Sequence, residues 1–145
     1  MFKRILLPTD GSALSERAVL AGLALAKSSG AEVVGLTVVP EFHTLTLDPD
    51  MLEDTVAQFH SNAEARAGRF LEFVASSAAT VGVACTSERV TSDDPYRAII
   101  DTARARQCDL VVMASHGRKG IKAALLGSET QKVLVHSDIP VLVYR

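Results

Sequence analysis

Lys3-Arg4-Ile5-Leu6-Leu7-Pro8-Thr9-Asp10-Gly11-Ser12 opens the chain with an apolar run that a proline and a turn cut short. A short apolar run bounded by turn residues reads as a buried strand. Ser12 is a good N-cap, and Leu14, Ala18, Gly22 and Leu25 then recur at helical spacing until Gly30 ends the helix. Strand, tight turn and helix in immediate succession are the beginning of an α/β architecture, and the rest of the chain repeats the unit.

Ala31 to Val39 is rich in β-branched residues (Val33, Val34, Val38, Val39) and closes at Pro40 as a second strand. Glu41 to Asp50 is polar and irregular and reads as a surface loop. A long helical stretch follows from about Asp50 to Ala79, with Val56, Phe59, Ala63, Phe70 and Val74 on one face. Val83 to Val90 alternates weakly and carries Thr86, Ser87, Glu88 and Arg89, a polarity that belongs at a sheet edge. Asp94-Pro95 places a capping carboxylate before a proline at the first helical position, and Ile99, Ile100 and Ala103 form that helix's stripe. Leu110 to Ala114 is a fully apolar strand, Ser115 to Gly127 a glycine-punctuated loop, Ser128 to His136 a helix and Ile139 to Tyr144 a last strand.

Strands joined by helical crossovers pair in parallel. The most apolar runs belong in the centre and the polar third and proline-led fifth strands outside them. The expectation is an α/β, Rossmann-like domain over residues 1–145: a five-stranded parallel sheet, order 3-2-1-4-5, with helices on both faces. In that order the chain changes direction between strands 1 and 4, where open α/β sheets bind ligands beyond the carboxyl ends of their strands. The loops Pro8 to Ser12 and Ser115 to Ser128 border that crevice. The last strand, Val141, Leu142, Val143 and Tyr144, has no later element to cover it. Antiparallel pairing with a second copy would protect this edge, so a homodimer is expected.

Composition narrows the function. The chain has 145 residues, 48% of them hydrophobic, with 15 basic and 17 acidic side chains for a net charge of -2. That balance offers no global field for nucleic acid or an acidic membrane. The two cysteines, Cys85 and Cys108, lie far apart without a metal-binding spacing and suit a reducing compartment. No apolar stretch could span a bilayer, so a soluble cytoplasmic protein without nucleic-acid or membrane partners is expected.

The loop Ser115-His116-Gly117-Arg118-Lys119-Gly120-Ile121-Lys122-Ala123-Ala124-Leu125-Leu126-Gly127-Ser128 reads two ways. It is an anion site, with glycines that let a backbone approach a ligand, the free N–H groups of a helix start, the hydroxyls of Ser128 and Thr130 and nearby cations. Alternatively it is a solvated turn. Asp10 likewise either accepts from a ribose hydroxyl or an adenine amino group, or stabilises its own turn. Other signatures are absent: no P-loop, no dinucleotide fingerprint and no nucleophile elbow occur. Ser115 and His116 are neighbours and are not expected to converge as nucleophile and base. His43, His60, His116 and His136 lack ligand spacing and read as isolated surface histidines, so no side-chain metal site is expected. Asp93 and Asp94 lack the partners of a phospho-acceptor site, which leaves helix capping as their expected role.

Taken together, Ile5-Leu6-Leu7-Pro8-Thr9-Asp10-Gly11-Ser12, Asp109-Leu110-Val111-Val112-Met113, Ser115-His116-Gly117-Arg118-x-Gly120, Leu125 to Leu134 and Pro140-Val141-Leu142-Val143 resemble the universal stress protein family over essentially the whole chain. The resemblance implies the dimeric five-stranded fold and, through Gly117, Gly120, Gly127 and Ser128, the ATP-binding branch. It implies ATP, or ADP or AMP, as ligand, with Mg2+ held mainly by the phosphates. Pro8 and Thr9 would shape the pocket, Asp10 hold ribose or adenine and the Val39 backbone meet adenine. Gly117 would lie under the ribose, Arg118 and Gly120 approach the phosphates, and Gly127, Ser128, Glu129 and Thr130 contact them. Two departures stand out. Ala114 replaces a frequent glycine, adding a methyl beside the nucleotide, and Glu129 replaces a frequent valine, a carboxylate that would repel phosphates unless turned to solvent.

The expected function is that of a nucleotide-dependent regulatory or signalling module in stress response, with unknown protein partners. The alternatives are a slow ATPase in the same cleft or a nucleotide-free interaction protein. Adenylyl transfer is disfavoured because Pro8 to Ser12 is not a glycine- and serine-rich loop. For efficient hydrolysis, Glu129 and His116 are the only candidates for base or metal-holding group.

Overall fold

The computed structural model describes residues 1–43, 56–117 and 126–145. Its elements are β1 (Arg4–Pro8), α1 (Ala13–Ser29), β2 (Glu32–Val39), α2 (Val56–Val81), β3 (Cys85–Thr91), α3 (Pro95–Ala105), β4 (Leu110–Ala114), α4 (Ser128–His136) and β5 (Val141–Tyr144). The strands form one sheet in the order β3-β2-β1-β4-β5, parallel at every pairing. The expected class and strand order are both observed.

Alternation along β1 sets the layers. Ile5 and Leu7 join Val19, Leu23 and Ala26 of α1 and Val74 and Ala78 of α2 in one cluster. Leu6 points the other way, to Ile99 and Ala103 of α3 and Val133 of α4. All three β1 side chains are fully buried, as a central strand covered on both faces requires. Among the described residues no helix is long and apolar enough to cross a membrane. Both cysteines are free; burial raises both thiols, Cys108 to about 11, which leaves them poor nucleophiles.

Several local expectations need correction. The stripe on α1 is broader than expected, because the helix packs on the sheet and on α2 together. Leu14, Ser15, Ala18, Val19, Gly22, Leu23 and Ala26 are buried, while Leu25 is only partly so. On α2 the buried side chains are Phe59, Ala63, Ala67, Val74 and Ala78; Phe70 is half-buried and Val56 exposed. The helix continues past Ala79 to Val81, and its expected start, residues 50–55, lies outside the described residues. Val83 belongs to the helix stop, not to the third strand: Gly82 takes φ 74° and the Val83 N–H bonds the Ala78 carbonyl at 2.9 Å. The Asp94 side chain makes no capping bond.

Two features of this frame make the site. β1 pairs with β2 from Arg4↔Glu32 to Pro8↔Leu36, but with β4 only at Ile5↔Leu110 and Leu6↔Val111. Past Leu6 the two central strands are no longer laddered, and a crevice opens between Pro8 and Ala114. The second feature is the mismatch between α2 and the strands. A helix of 26 residues spans about 39 Å, whereas β2, with 8 residues, spans about 26 Å. Because α2 runs antiparallel to the strands, its N-terminal half overhangs their carboxyl ends.

Candidate functional site

A cavity of about 680 Å³ occupies the crevice. Pro8, Thr9, Asp10, Val39, Gly117, Gly127, Ser128, Glu129 and Thr130 all line it. Residues separated by more than a hundred positions are thus brought together by the strand order. Arg118 and Gly120 lie outside the described residues.

Each wall follows from local chemistry. The Asp10 Oδ1 accepts from the Ser12 N–H at 3.0 Å, so the carboxylate does hold its own turn. Its Oδ2 lies against Gly117, where a Cβ would fall on that oxygen. The same carboxylate therefore serves the turn and faces the crevice. Thr9 is buried and committed to structure: its Oγ1 lies 3.1 Å from Ser15 Oγ, and its carbonyl accepts from Thr37 Oγ1 at 2.6 Å.

The opposite wall is the start of α4. Gly127 is its N-cap with no side-chain cap, and the Gly127 N–H bonds the Ser115 carbonyl at 2.6 Å. The amides of Ser128, Glu129 and Thr130 precede the first possible i→i−4 bond, so they and the helix dipole form an anion-binding turn. The Thr130 hydroxyl, expected as a donor to ligand, is spent differently: it donates to the Ala114 carbonyl at 3.0 Å and is buried. Only its amide remains for the cavity.

The two departures, Ala114 and Glu129, both have partners within the fold. Ala114 borders the cavity but packs in a small cluster with Leu14, Ala18 and Tyr144. Glu129 points neither at the anion turn nor simply into solvent. Its Oε2 accepts from the Tyr96 N–H at 2.9 Å and its Oε1 from Lys132 Nζ at 3.2 Å. It therefore caps α3, the role assigned from sequence to Asp94, and α3 and α4 are joined at their first turns.

Asp93 is not a helix cap either. Its Oδ1 accepts from the Glu41 N–H at 3.1 Å and its Oδ2 meets His43 Nε2 at 2.6 Å. The His43 hydrogen bond, above all, holds the Asp93 carboxyl below its ordinary value. His43 is thus not an isolated histidine, and with Glu41 the group places ligand-type atoms within 4.8 Å of one another, all on exposed side chains. Mutual hydrogen bonding accounts for the cluster. Ser115 Oγ and His116 Nδ1 do meet, at 3.3 Å, but Ser115 is buried and the contact is long.

Sequence reasoning missed the wall supplied by α2. Phe59, Ala63, Arg66, Ala67 and Phe70 line the cavity at helical spacing. Phe59 is fully buried and packs against Phe42 with the rings tilted and their centroids 5.1 Å apart. The available signal was helix length: the stripe continues beyond the reach of the strands it covers.

The model of the universal stress protein family matches residues 1–145. This chain belongs to that family. A universal stress protein of Thermus aquaticus is 32% identical over 145 residues, covering all of both chains. The Bacillus subtilis universal stress protein YxiE is 31% identical, again over the whole of both. Among solved structures, that of MJ0577, named a universal stress protein of Methanocaldococcus jannaschii, is 29% identical with a TM-score of 0.82, covering 99% of this chain and 96% of that one. Other universal stress proteins of this fold are solved with cAMP, at 24% identity, and, from Arabidopsis thaliana, with AMP, at 16%. In this universal stress protein the glycines quoted from sequence, Gly117 and Gly127, both line the crevice.

Proposed function

We propose that the crevice holds an adenine nucleotide, ATP or its ADP and AMP relatives, and that the protein is a cytoplasmic, nucleotide-dependent regulatory module in stress response. The observation that carries this is the meeting of the α4 anion turn with Asp10 across one cavity at the strand switch point. Phosphates sit on the amides of Ser128, Glu129 and Thr130, with Gly127 giving the backbone clearance; Arg118 and Gly120 are assigned to the phosphates from the sequence resemblance alone. Ribose lies over Gly117 within reach of Asp10, and adenine lies by the Val39 backbone with Pro8 and Thr9 shaping the floor. Relatives of the same fold bind cAMP and AMP, which supports an adenylate in this position.

The residues suit Mg2+ that arrives with the phosphates. Such an ion needs oxygen ligands and commonly keeps one or two carboxylates, but Asp10 and Glu129 both serve backbone amides already. A cation held mainly by the polyphosphate fits that donor set. Calorimetric titration should give micromolar ATP binding and measurable AMP binding; no heat with either nucleotide, at concentrations to the millimolar range, would overturn the reading.

The dimer is part of this proposal. β5 pairs with β4 and forms the sheet edge, with Leu142 41% exposed. Val141, Leu142, Val143 and Tyr144 pair antiparallel with their own copy across a two-fold axis, removing an apolar edge from water. Leu142→Asp is expected to convert the dimer to a folded monomer by sedimentation velocity. A variant as dimeric as the parent would place the interface elsewhere.

A further inference from the structure

We propose that Arg66 reads the phosphate count of the bound nucleotide, favouring a polyphosphate over a monophosphate; this rests on the nucleotide reading above. Arg66 lies on the cavity-facing stripe of α2, one helical turn above Phe70 and between the small side chains Ala63 and Ala67. It is half-buried, yet among the described residues its guanidinium has no hydrogen-bond or ion-pair partner. Four other arginines are paired, Arg4 with Glu32, Arg89 with Glu64, Arg104 with Asp138 and Arg106 with Glu88, whereas Arg17, Arg69 and Arg145 are exposed to water.

The carboxylates lining the cavity do not neutralise it. Asp10 holds the Ser12 amide, Asp93 holds His43 and the Glu41 amide, and Glu129 holds the Tyr96 amide and Lys132. A partly desolvated guanidinium without a counter-ion is costly, and an anionic ligand relieves that cost. Among the described residues lining the cavity, Arg66 is the one arginine or lysine. Helical side chains lean toward the helix N-terminus, which on α2 is away from the sheet and toward the crevice mouth. Ala63, one turn earlier, leaves that path open. Arg66 and the first residues of α4 line the same cavity, so the attraction of its charge for a ligand held on those amides grows with each phosphate.

The test is calorimetry of the full chain with ATP, AMP and adenosine, for the parent, Arg66→Gln and Arg66→Lys. Arg66→Gln should weaken ATP about tenfold, AMP about threefold and adenosine not at all, and flatten the salt dependence of ATP binding. Arg66→Lys, which keeps the charge, should restore most of the ATP affinity. Unchanged ATP affinity in Arg66→Gln, or an equal loss for all three ligands, would overturn the inference, since equal loss marks packing against the nucleoside or a damaged fold. If the parent binds none of the three, it is the nucleotide reading itself that fails.

Discussion

Gly127→Val is expected to abolish measurable ATP binding while the protein stays folded. Gly127 takes φ -66° and ψ 156°, a conformation open to any residue, so the effect is steric. A Cβ there would sit 3.1 Å from the His116 Cα, 3.2 Å from the Ser115 carbonyl oxygen and 3.3 Å from the His116 Cβ. Two of these are backbone atoms held by the β4 ladder and by the Gly127–Ser115 hydrogen bond. The yielding part is the start of α4, whose amides then swing off the crevice while the valine methyls fill its mouth. Charge-assisted hydrogen bonds contribute roughly 1.5–3 kcal/mol each, so losing two costs at least about a hundredfold in affinity. Titration calorimetry on parent and variant, with circular dichroism to check the fold, measures this. Gly127→Ala should fall between them, and parental affinity in Gly127→Val would place the phosphates elsewhere.

Gly11→Ala is expected to cost about 3 kcal/mol of folding stability, the sum of about 1–2 for a left-handed side chain and about 1–3 for overpacking. Gly11 has φ 79°, and a Cβ on it would overlap the Phe70 ring, 2.5 Å from Cδ1. In a domain of this size such a loss lowers Tm by roughly 6–12 °C. The two contributions separate in a double-mutant cycle. In a Phe70→Ala background the steric part vanishes and Gly11→Ala should cost only about 1–2 kcal/mol, the backbone part. Denaturant unfolding of the four proteins provides the measurement; strictly additive losses would mean that Phe70 does not close over the turn.

The fold was legible because its evidence is local and redundant. The apolar runs of β1, β2 and β4, the polar β3 and the turn at Pro8 to Ser12 each carry their own pattern, and chain connectivity then limits the strand order. Topology pointed to the two loops that border the crevice, and the resemblance to the family supplied the residue-by-residue assignments within them. The remainder depends on pairings that leave no local trace. The bonds from Asp93 to His43, from Glu129 to Tyr96 and from Thr130 to Ala114 join positions 50, 33 and 16 residues apart. A stripe such as Phe59, Ala63, Ala67 and Phe70 has the same spacing whether it faces a sheet or an open cavity, so the α2 wall read as core. Arg66 within that stripe was the one residue whose chemistry distinguished the two, and Arg118 and Gly120 fall outside the described residues.

The Glu129 carboxylate has a mechanical consequence. One side chain fastens the opening turn of α4 to that of α3, and Tyr96 strengthens the join by lying 5.4 Å from the His136 ring and under Lys132. A shift of the α4 amides would therefore pull on a second helix whose outer side, at Arg97, Asp101 and Arg104, is exposed to solvent.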